Sequence, residues 1–450
     1  MADLARIVKA YDIRGVVPDE LDEDVARAVG GAFARLMRSD RIVTAHDMRE
    51  SSPGLARAFA EGATAQGVDV VEAGLGSTDL LYFASGSLGV PGAMFTASHN
   101  PARYNGIKLC RAGAAPVGQD TGLADIRAMV EQGVPSYDGE PGTITQRDLL
   151  SDYAAYMKQL VPGIESIRRL SVVVDAGNGM GGLTVPVVFD GLPIDLVAMY
   201  FELDGSFPHH EANPIEPENL RDLQAKVRAV GADIGLAFDG DADRCFVVDE
   251  RGEIVSPSVL TALIAVRELA KEPGATVIHN LITSRAVPEI VREHGGTPVR
   301  TRVGHSFIKA TMAETGAVFG GEHSGHFYFR DFWRADSGML AALHTLAALG
   351  GGDRPLSQLL AESARYCASG EINSEVSDQK QKMAEVESAY ADVPGANVDH
   401  LDGLTVELPD GSWFNLRPSN TEPLLRLNVE GSNAAAMQRL RDEVLERVRA

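Results

Sequence analysis

The apolar positions of this chain fall in short runs that alternate with stretches of helical spacing. Apolar runs over residues 41–45, 68–71 and 93–95 predict short buried strands. Between them, the spacing over 24–37 and 53–66 predicts helices. Strands that alternate with helices in this way indicate a parallel α/β sheet.

The alternation repeats twice more before its character changes. The second unit opens with the apolar run 171–175, and the third begins near residue 254 and ends with a predicted helix over 356–365. From about Cys367, alternating runs predict antiparallel strands and a closing helix over 434–449. We therefore predict an α/β fold of three similar mixed α/β domains and a smaller C-terminal α+β domain around one central cleft. The predicted domains span residues 1–145, 146–248, 249–365 and 366–450.

Composition and charge narrow the classes of function. The 450 residues are 44% hydrophobic and 23% charged, which is ordinary for a soluble globular protein. The net charge of −22 argues against nucleic acid and anionic membranes as partners, and any anionic ligand needs its own local Arg and Lys. The three cysteines form neither a disulfide framework nor a Cys-x-x-Cys pair, so we expect buried thiols. No apolar stretch reaches transmembrane length, and we expect a cytoplasmic protein.

A serine follows the third apolar run directly. The segment 96–102 reads Thr-Ala-Ser-His-Asn-Pro-Ala and places Ser98 on a tight turn. A hydroxyl among the backbone N–H groups of a turn suits phosphate chemistry. Taken alone, a turn of small polar residues before Pro101 is the more common explanation. A hydrolase nucleophile is disfavoured, because Gly-x-Ser-x-Gly is absent and His99 is too close in sequence to activate Ser98.

Three alternating aspartates follow a later apolar run. Asp239, Asp241 and Asp243 come after the run 234–238, and Arg244 follows them. Carboxylates at alternate positions of an extended loop point to one side and form a hard oxygen site for Mg²⁺. Without a cation they would repel one another and raise each other's pKa. Sites in open α/β sheets form outside the carboxyl ends of the strands, so we expect the serine and the aspartates to meet.

Two other patterns leave alternative functions open. The acidic loop imitates a calcium-binding EF-hand with Glu250 at its twelfth position, although Arg244 stands where the motif needs Gly. A calcium-binding module is therefore one alternative. The segment 177–182 fits Gly-x-Gly-x-x-Gly, and Asp195 or Glu202 lies near the distance expected for the acidic residue of a dinucleotide site. An NAD-dependent oxidoreductase is the other alternative, although it leaves the serine turn unexplained.

Polar clusters in the last two predicted domains suit a phosphorylated sugar. The segment 321–326 offers a carboxylate, a hydroxyl and imidazoles, which suit vicinal sugar hydroxyls. The segment 417–422, with Arg426, is a compact anion grip, because guanidinium groups make bidentate contacts with phosphate. Lys108 or His305 could act as a general acid or base at a sugar hydroxyl.

Taken together, these motifs resemble the α-D-phosphohexomutase family, and within it the bacterial phosphomannomutase/phosphoglucomutase group. The resemblance covers nearly the whole chain, and the ordered set is far more specific than any one motif. The segments stand in family order at residues 11–15, 96–101, 104–108, 209–219, 239–244, 321–326 and 417–423. The resemblance implies an isomerase of four domains whose last domain closes over the substrate.

The resemblance also implies a role for each candidate residue. Ser98 would carry a phosphoryl group, and Mg²⁺ would be held by Asp239, Asp241, Asp243 and one phosphoserine oxygen. The residues implied in proton transfer and charge neutralisation are Lys108, His305, Arg14 and Arg244. The residues implied in substrate binding are Tyr11, Glu322, Ser324, His326, Arg417, Ser419, Asn420, Thr421 and Arg426. A hexose 1,6-bisphosphate is implied as the intermediate and as the activator.

The preferred sugar depends on two positions. Asn420 resembles the mannose/glucose type, since the glucosamine type usually has Gly there, whereas His323 departs from the residues that both types often carry. The resemblance therefore implies conversion of mannose 6-phosphate to mannose 1-phosphate, with glucose phosphates as second substrates. A phosphoglucosamine mutase is the alternative within the family. The match around Arg285, a further phosphate contact by this resemblance, is loose. We expect sugar phosphates to be the partners of a monomer or weak homodimer.

Overall fold

The computed structural model describes residues 4–419 and 424–450. The chain forms two compact units. The first unit runs up to Ser256 and resumes over Ser324–Ser357, and the second comprises Pro257–His323 and Gln358–Ala450. The domain boundaries predicted at residues 145, 248 and 365 stay a prediction.

The N-terminal part of the first unit contains a seven-stranded sheet. Its strands are β1 (Ile13–Val16), β2 (Arg41–His46), β3 (Asp69–Leu75), β4 (Gly92–Phe95), β5 (Tyr104–Arg111), β6 (Ala115–Pro116) and β7 (Ile144–Gln146). Its helices are α1 (Leu4–Ile7), α2 (Glu23–Met37), α3 (Ser52–Thr64), α4 (Thr78–Leu88), α5 (Leu123–Gln132) and α6 (Leu150–Leu160). The strand order is β1-β5-β4-β2-β3-β7, with β6 beside β5.

This sheet is mixed, so the expectation of a parallel sheet is wrong at one edge. Strands β4, β2, β3 and β7 are parallel, whereas β5 is antiparallel to both β4 and β1. The reason is the connection: residues 96–103 are too few for the crossover that a parallel strand requires. The serine turn is therefore the link of a β-hairpin.

The core of this sheet supports the strand that leads to the serine. Helix α2 begins at a cap in which Asp22 Oδ1 accepts a hydrogen bond from the Val25 N–H at 2.8 Å. Its buried face contributes Phe33, whose ring lies 5.8 Å from that of Phe59 on α3. The ring of Phe59 in turn lies 5.4 Å from that of Phe95, the last residue of β4. Apolar packing thus holds the end of β4 in place.

The second sheet of this unit repeats the same design. Its strands are β8 (Leu170–Asp175), β9 (Ile194–Met199), β10 (Ile234–Phe238), β11 (Cys245–Asp249) and β12 (Ile254–Val255), and its helices are α7 (Gly181–Phe189) and α8 (Arg221–Val230). The order is β12-β11-β10-β8-β9. Strands β9, β8 and β10 are parallel, and β10 and β11 form an antiparallel hairpin. The acidic loop 239–244 is the link of that hairpin.

A third set of strands follows in the chain. In the second unit, the elements are α9 (Pro257–Lys271), β13 (Thr276–Asn280), α10 (Ala286–Glu293), β14 (Thr297–Thr301), α11 (His305–Thr315) and β15 (Phe319–Gly321). Strand β13 pairs in parallel with both β14 and β15. In the segment that belongs to the first unit, β16 (Phe327–Phe329) pairs antiparallel with β17 (Ala335–Asp336), and α12 (Gly338–Gly350) follows.

The helix predicted over 356–365 is shorter than expected. Helix α13 covers Leu356–Leu359, and the chain then turns, because the backbone N–H groups of Ser363 and Ala364 both donate to the Leu360 carbonyl.

The C-terminal part of the second unit is a five-stranded antiparallel sheet. Its elements are β18 (Cys367–Glu375), α14 (Gln379–Tyr390), β19 (Asn397–Asp399), β20 (Leu404–Glu407), β21 (Trp413–Pro418), β22 (Leu424–Gly431) and α15 (Ala434–Arg449). The closing helix has the predicted bounds. Helix α14 was not predicted, because it is mostly polar and buries only Val386 and Tyr390.

All three cysteines are free thiols: Cys110 and Cys245 are buried, and Cys367 is half-buried. Among the described residues, no helix has both the length and the apolarity needed to cross a bilayer.

Candidate active site

Ser98 lies in the turn that joins β4 to β5. Its φ of 50° falls in the left-handed region, which a residue with a Cβ adopts where its surroundings hold it. Its backbone N–H donates to Thr96 Oγ1 at 2.9 Å. The residue is 5% exposed, so the hydroxyl is presented from a buried, hydrogen-bonded turn.

The acidic loop between β10 and β11 lies against this turn. The Ser98 hydroxyl donates to Asp239 Oδ2 at 2.9 Å, although the two residues are 141 positions apart in the chain. A methyl group at Gly240 would overlap the Ser98 carbonyl oxygen, so the close approach of the two loops requires glycine there. The structure therefore brings together the serine and the acidic loop.

Asp239, Asp241 and Asp243 form a compact buried cluster. Each offers a carboxylate oxygen, and these atoms lie within 4.8 Å of one another. Asp241 Oδ1 and Asp243 Oδ1 are buried and have no hydrogen-bond partner among the described residues. Unpartnered buried carboxylate oxygens are costly, and hard divalent cations take oxygen ligands of this kind. The residues present therefore fit a divalent metal ion.

Burial and neighbouring cations act in opposite directions on these carboxyl groups. Burial raises the pKa of Asp239, against the effect of Arg244, whose Nε donates to Asp239 Oδ2 at 2.9 Å. Burial also acts to raise the pKa of Asp241 and Asp243, but the Lys108 ammonium lies 2.6 Å from one oxygen of each and brings both pKa values below the ordinary range. The two carboxylates in turn outweigh burial and raise the pKa of Lys108, which is therefore a cation here.

Arg14 contacts the serine turn, and His99 belongs to it. Arg14, on β1, donates from Nη1 to Asn100 Oδ1. His99 Nδ1 lies 3.2 Å from Ser98 Oγ, and burial, together with nearby guanidinium charges, lowers the pKa of His99 to about 2. The imidazole beside the serine is therefore neutral. Tyr11 is half-buried and precedes β1.

The structure adds two residues that the sequence reasoning missed. Thr78, the first residue of α4, donates from Oγ1 to Asp241 Oδ2 at 2.5 Å and from its N–H to the Asp241 carbonyl at 3.0 Å. Arg49 donates from Nη2 to the Ser98 carbonyl at 2.9 Å. Both follow strands of the N-terminal sheet at their carboxyl ends, as Ser98 does, and that shared position is the signal that could have found them.

His326 also lies beside the acidic loop. Its Nε2 is 3.7 Å from Asp243 Oδ1, and its Nδ1 is 3.0 Å from Ser324 Oγ. His326, Asp243 and Asp336 offer ligand atoms within 4.8 Å of one another. The charge of His326 adds to the effect of Lys108 that lowers the pKa of Asp243.

Glu322 belongs to the second unit and directly follows β15. It is 3% exposed, and its Oε1 accepts hydrogen bonds from Asn280 Nδ2 at 3.3 Å and from the Gly304 N–H at 3.2 Å. Burial lowers the pKa of the neighbouring His323. His305 is the first residue of α11, and its side chain lies outside the described part of the structure.

Two arginines of the second unit face each other across β21 and β22. Arg417 and Arg426 are cross-strand neighbours. Glu371 lies 3.5 Å from Arg417 Nη2 and 3.6 Å from Arg426 Nη1, and Asp402 lies 3.7 Å from Arg417 Nη1. The Nε atoms of both arginines are buried without a hydrogen-bond partner among the described residues. Guanidinium groups held only by such long ion pairs can bind an anion.

The rest of the predicted anion grip follows β21. Ser419 is 8% exposed, and its N–H donates to the Leu424 carbonyl at 2.8 Å, which closes the connection to β22. Asn420 and Thr421 lie outside the described residues.

The structure gives no support to the two alternative functions, an NAD-dependent oxidoreductase and a calcium-binding module. Asp195 stands at the start of β9, where it pairs with Arg169 Nε at 2.7 Å, whereas a dinucleotide site carries its acidic residue at the end of the next strand. Glu202, the other acidic residue, contributes its backbone carbonyl, which accepts from Asn178 Nδ2 at 2.8 Å. The acidic loop is flanked by the β10–β11 hairpin, whereas an EF-hand needs a helix on each side.

Models of the four domains of one protein family match this chain. They are described as "Phosphoglucomutase/phosphomannomutase, alpha/beta/alpha domain" I, II and III and as the C-terminal domain. The matched residues are 5–134, 151–252, 257–366 and 371–447, in that order. The prediction of three similar α/β domains followed by a different C-terminal domain is confirmed.

Relatives match over nearly the full length. The chain is 43% identical over 441 residues to "Phosphohexose mutases" of Xanthomonas campestris pv. campestris, covering 97% of each chain. It is 39% identical over 448 residues to a phosphomannomutase of Escherichia coli, covering 97% of this chain and 98% of the relative. A crystal structure of a phosphoglucomutase/phosphomannomutase family protein from Burkholderia thailandensis superposes with a TM-score of 0.89 at 35% identity, covering 100% of this chain and 98% of that one.

Proposed function

The chain belongs to the phosphoglucomutase/phosphomannomutase family, and from this we propose that it interconverts mannose 6-phosphate and mannose 1-phosphate, with glucose phosphates as second substrates. Sugar-phosphate isomerisation is the activity of the family. The observation that carries the proposal is the Ser98 hydroxyl, 2.9 Å from Asp239 within a buried cluster of three carboxylates. A serine in that position can carry a phosphoryl group, and Lys108 and Arg244, together with a metal ion held by the carboxylates, can balance its negative charge.

We propose that Ser98 carries the phosphoryl group between turnovers. In the first half-reaction, the bond between phosphorus and Ser98 Oγ breaks, and a bond forms from phosphorus to a free hydroxyl oxygen of the hexose phosphate. The product is a hexose 1,6-bisphosphate, which reorients. In the second half-reaction its other phosphoryl group returns to Ser98 Oγ, so the sequence is balanced and needs no other phosphate donor.

Each half-reaction also moves one proton. In the first half-reaction the sugar hydroxyl loses a proton as it attacks, and Ser98 Oγ gains one as it leaves. In the second half-reaction Ser98 Oγ loses a proton as it attacks, and the departing sugar oxygen gains one. We propose Lys108, whose ammonium lies 2.6 Å from Asp241 and from Asp243, as the group that exchanges a proton with Ser98 Oγ. We propose His305 as the group that takes the sugar proton, and Arg14 and Arg244 as cations that balance the charge of the transferred group.

We propose that Asp239, Asp241 and Asp243 hold Mg²⁺ together with one oxygen of phosphoserine. When bound, the ion withdraws negative charge from the phosphoryl group and so favours its transfer. The residues that hold the substrate are proposed to be Tyr11, Glu322, Ser324, His326, Arg417, Ser419, Asn420, Thr421 and Arg426. The arginines would grip the phosphate that is not transferred, because guanidinium groups match its geometry.

A coupled assay tests the sugar and the mechanism together. Mannose, glucose and glucosamine 1-phosphates are compared as substrates with trace hexose 1,6-bisphosphate as activator. We expect mannose 1-phosphate to give the highest kcat/KM and glucose 1-phosphate the next highest. A preference for glucosamine 1-phosphate would assign the chain to the alternative specificity within the family.

The Ser98→Ala variant tests the phosphoserine. Intact-mass measurement of the wild-type protein should show a fraction heavier by one phosphoryl group, and this fraction should be missing from Ser98→Ala. The variant should also lose at least about 1,000-fold in kcat, as expected when a covalent nucleophile is removed. Full mutase activity in Ser98→Ala would overturn the mechanism.

A further inference from the structure

The buried side chain of Arg49 makes all the hydrogen bonds that a guanidinium can make. Arg49 lies between β2 and α3, and its side chain is 1% exposed. Its Nε donates to Asp47 Oδ2 at 3.2 Å, and each of its Nη atoms donates twice. The four further acceptors are backbone carbonyl oxygens: Pro101 and Tyr104 at 3.0 Å from Nη1, Ser98 at 2.9 Å and Asn100 at 2.7 Å from Nη2.

These four carbonyl groups belong to one segment, the turn between β4 and β5 and the first residue of β5. Carbonyl groups in a turn lack the partners that a strand or helix would supply, and buried ones need a donor. Arg49 supplies that donor to four positions of the turn at once. Lysine could not, because its ammonium has three donors that radiate from one atom, whereas the guanidinium offers five in a flat fork.

The turn that Arg49 contacts holds Ser98 in a backbone conformation that the residue would not choose by itself. The φ of Ser98 is 50°, and its N–H is tied to Thr96 Oγ1. Arg49 fixes the carbonyl on the other side of the same residue. A residue with a Cβ keeps a left-handed conformation where neighbouring groups hold it there. The hydrogen bonds on the N–H and on the carbonyl of Ser98 do this.

Arg49 is itself held from several sides. Asp47, which is fully buried, accepts hydrogen bonds from the Arg49 N–H at 3.0 Å and from Ser52 Oγ at 2.5 Å. The ring of Phe207 lies 5.1 Å from Arg49 Cζ, in the geometry of a cation–π contact. A buried guanidinium requires a counter-charge and full hydrogen bonding, and both are present.

From these contacts we propose that Arg49 is the positioning residue of the phosphoryl-transfer serine. Its guanidinium holds the carbonyl groups of residues 98–104 and so fixes the direction in which Ser98 Oγ points toward the acidic loop. The proposal rests on the proposed function for its consequence in catalysis, but the hydrogen bonds to the turn exist whatever the substrate. Among the described contacts, the hydrogen bonds of Arg49 go to Asp47 and to the turn, and none goes to Asp239, Asp241 or Asp243. The charge of Arg49 also acts on Asp241, and Arg49→Lys keeps that charge, so the variant isolates the effect transmitted by the turn.

The test variant is Arg49→Lys, which keeps the charge beside Asp47 while removing the fork. Amide hydrogen exchange, followed by mass spectrometry, reports the order of the turn directly. We expect exchange over residues 97–106 to accelerate at least tenfold, with the peptides of α2 and β2 unchanged. In the mannose phosphate assay we expect kcat to fall about 100-fold, the size of effect that a misplacement of about 1 Å produces, with KM within threefold of wild type.

Two controls separate positioning from general destabilisation. Leu123→Ala weakens the same core from α5, outside the row of rings that ends at β4, and Arg57→Lys makes the same change on the exposed face of α3. Neither should change exchange over 97–106 relative to the rest of the domain. If Arg49→Lys does not fold, Phe207→Leu removes the ring beside the guanidinium without leaving a charge unpaired, and exchange of the same peptides should then rise about threefold.

Exchange over 97–106 that is unchanged in the folded Arg49→Lys or Phe207→Leu protein would overturn the proposal. A fall in kcat for Leu123→Ala as large as that for Arg49→Lys would also overturn it. If the wild-type protein shows no turnover of any hexose phosphate, the proposed function fails, while the exchange experiment still decides whether Arg49 holds the turn.

Discussion

The serine–carboxylate cluster and the arginine pair of the C-terminal sheet bind charge in different ways. Around Ser98 and the three aspartates, the contacts made by Ser98, Thr78 and Lys108 are 2.5–3.2 Å long and most of the side chains are buried, although His326 lies 3.7 Å from Asp243. Around Arg417 and Arg426, the carboxylates of Glu371 and Asp402 stand 3.5–3.7 Å away. Short hydrogen bonds between buried groups hold a fixed geometry, whereas long ion pairs leave the cations able to exchange their partners.

Under the proposed function, the difference follows from what each region would have to do. A centre that transfers a phosphoryl group works by positioning and by charge that is already in place when the reaction starts. A grip that must take up and release phosphate at each turnover cannot saturate its donors with internal partners. Changes in the serine–carboxylate cluster should therefore lower kcat, and changes in the arginine pair should alter KM.

Of the four variants that test this comparison, Gly240→Ala should show the largest effect. The added methyl group would overlap the Ser98 carbonyl oxygen, so the two loops would have to separate. We expect kcat to fall by about 100-fold, as for a displacement of about 1 Å at a reacting group, with a small change in KM. Steady-state kinetics measure both values.

The matched control for this variant is Gly352→Ala in the same unit. An added methyl group there meets no atom within 4 Å, so neither constant should change. An unchanged kcat in Gly240→Ala would show that the close approach of the two loops is not required for activity.

A smaller effect, on KM and not on kcat, is expected for Arg417→Lys. Lysine keeps the charge but loses the flat fork, so the bidentate contact with phosphate is lost. We expect KM to rise about tenfold, equivalent to about 1.4 kcal/mol of binding free energy, with kcat within threefold. Arg439→Lys, at an exposed position of α15, is the control and should leave both constants unchanged. A fall in kcat without a rise in KM would contradict the comparison.

Thr78→Val should weaken metal binding by the serine–carboxylate cluster. The change removes the hydroxyl that donates to Asp241 Oδ2 at 2.5 Å and keeps the shape of the side chain. Loss of one hydrogen bond to a charged group is worth about 1.5 kcal/mol, so we expect metal affinity to fall about tenfold. Calorimetric titration with Mn²⁺ measures this directly, without reference to activity. Thr78→Ser keeps the hydroxyl and should restore the affinity.

The smallest effect is expected for Glu371→Gln. Glu371 lies near both arginines, and under the proposed function it would compete with phosphate for them. Because partly exposed ion pairs contribute about 0.2–1 kcal/mol, its neutralisation should lower KM about threefold and leave kcat unchanged. Inhibition by inorganic phosphate should strengthen by the same factor. A rise in KM would show that Glu371 holds the arginines in place for the substrate and does not compete with it.

Much of the chemistry of this protein was visible in the sequence. Alternating carboxylates, a serine before a proline turn and paired arginines are local patterns, and each predicts its chemistry from residue type and spacing alone. Secondary structure with a strong apolar period was equally visible, as the closing helix Ala434–Arg449 shows. Helix α14 was not, because most of its residues are polar and give no period.

What the sequence could not determine is which backbone groups meet which side chains. Arg49 reads as one more charged residue at a strand end, and its importance comes from four carbonyl groups about 50 positions away in the chain. The same is true of Thr78 and Asp241, which are 163 positions apart.

The sequence by itself therefore determined the strongly periodic strands and helices and the motif-borne reactive groups, because those depend on interactions between near neighbours along the chain. Only the tertiary structure decided the left-handed turn at Ser98, the glycine contact that lets two loops touch and the cation assigned to each carboxylate. These depend on distances between segments far apart in the chain, and such distances are set by how the sheets and their cores pack together.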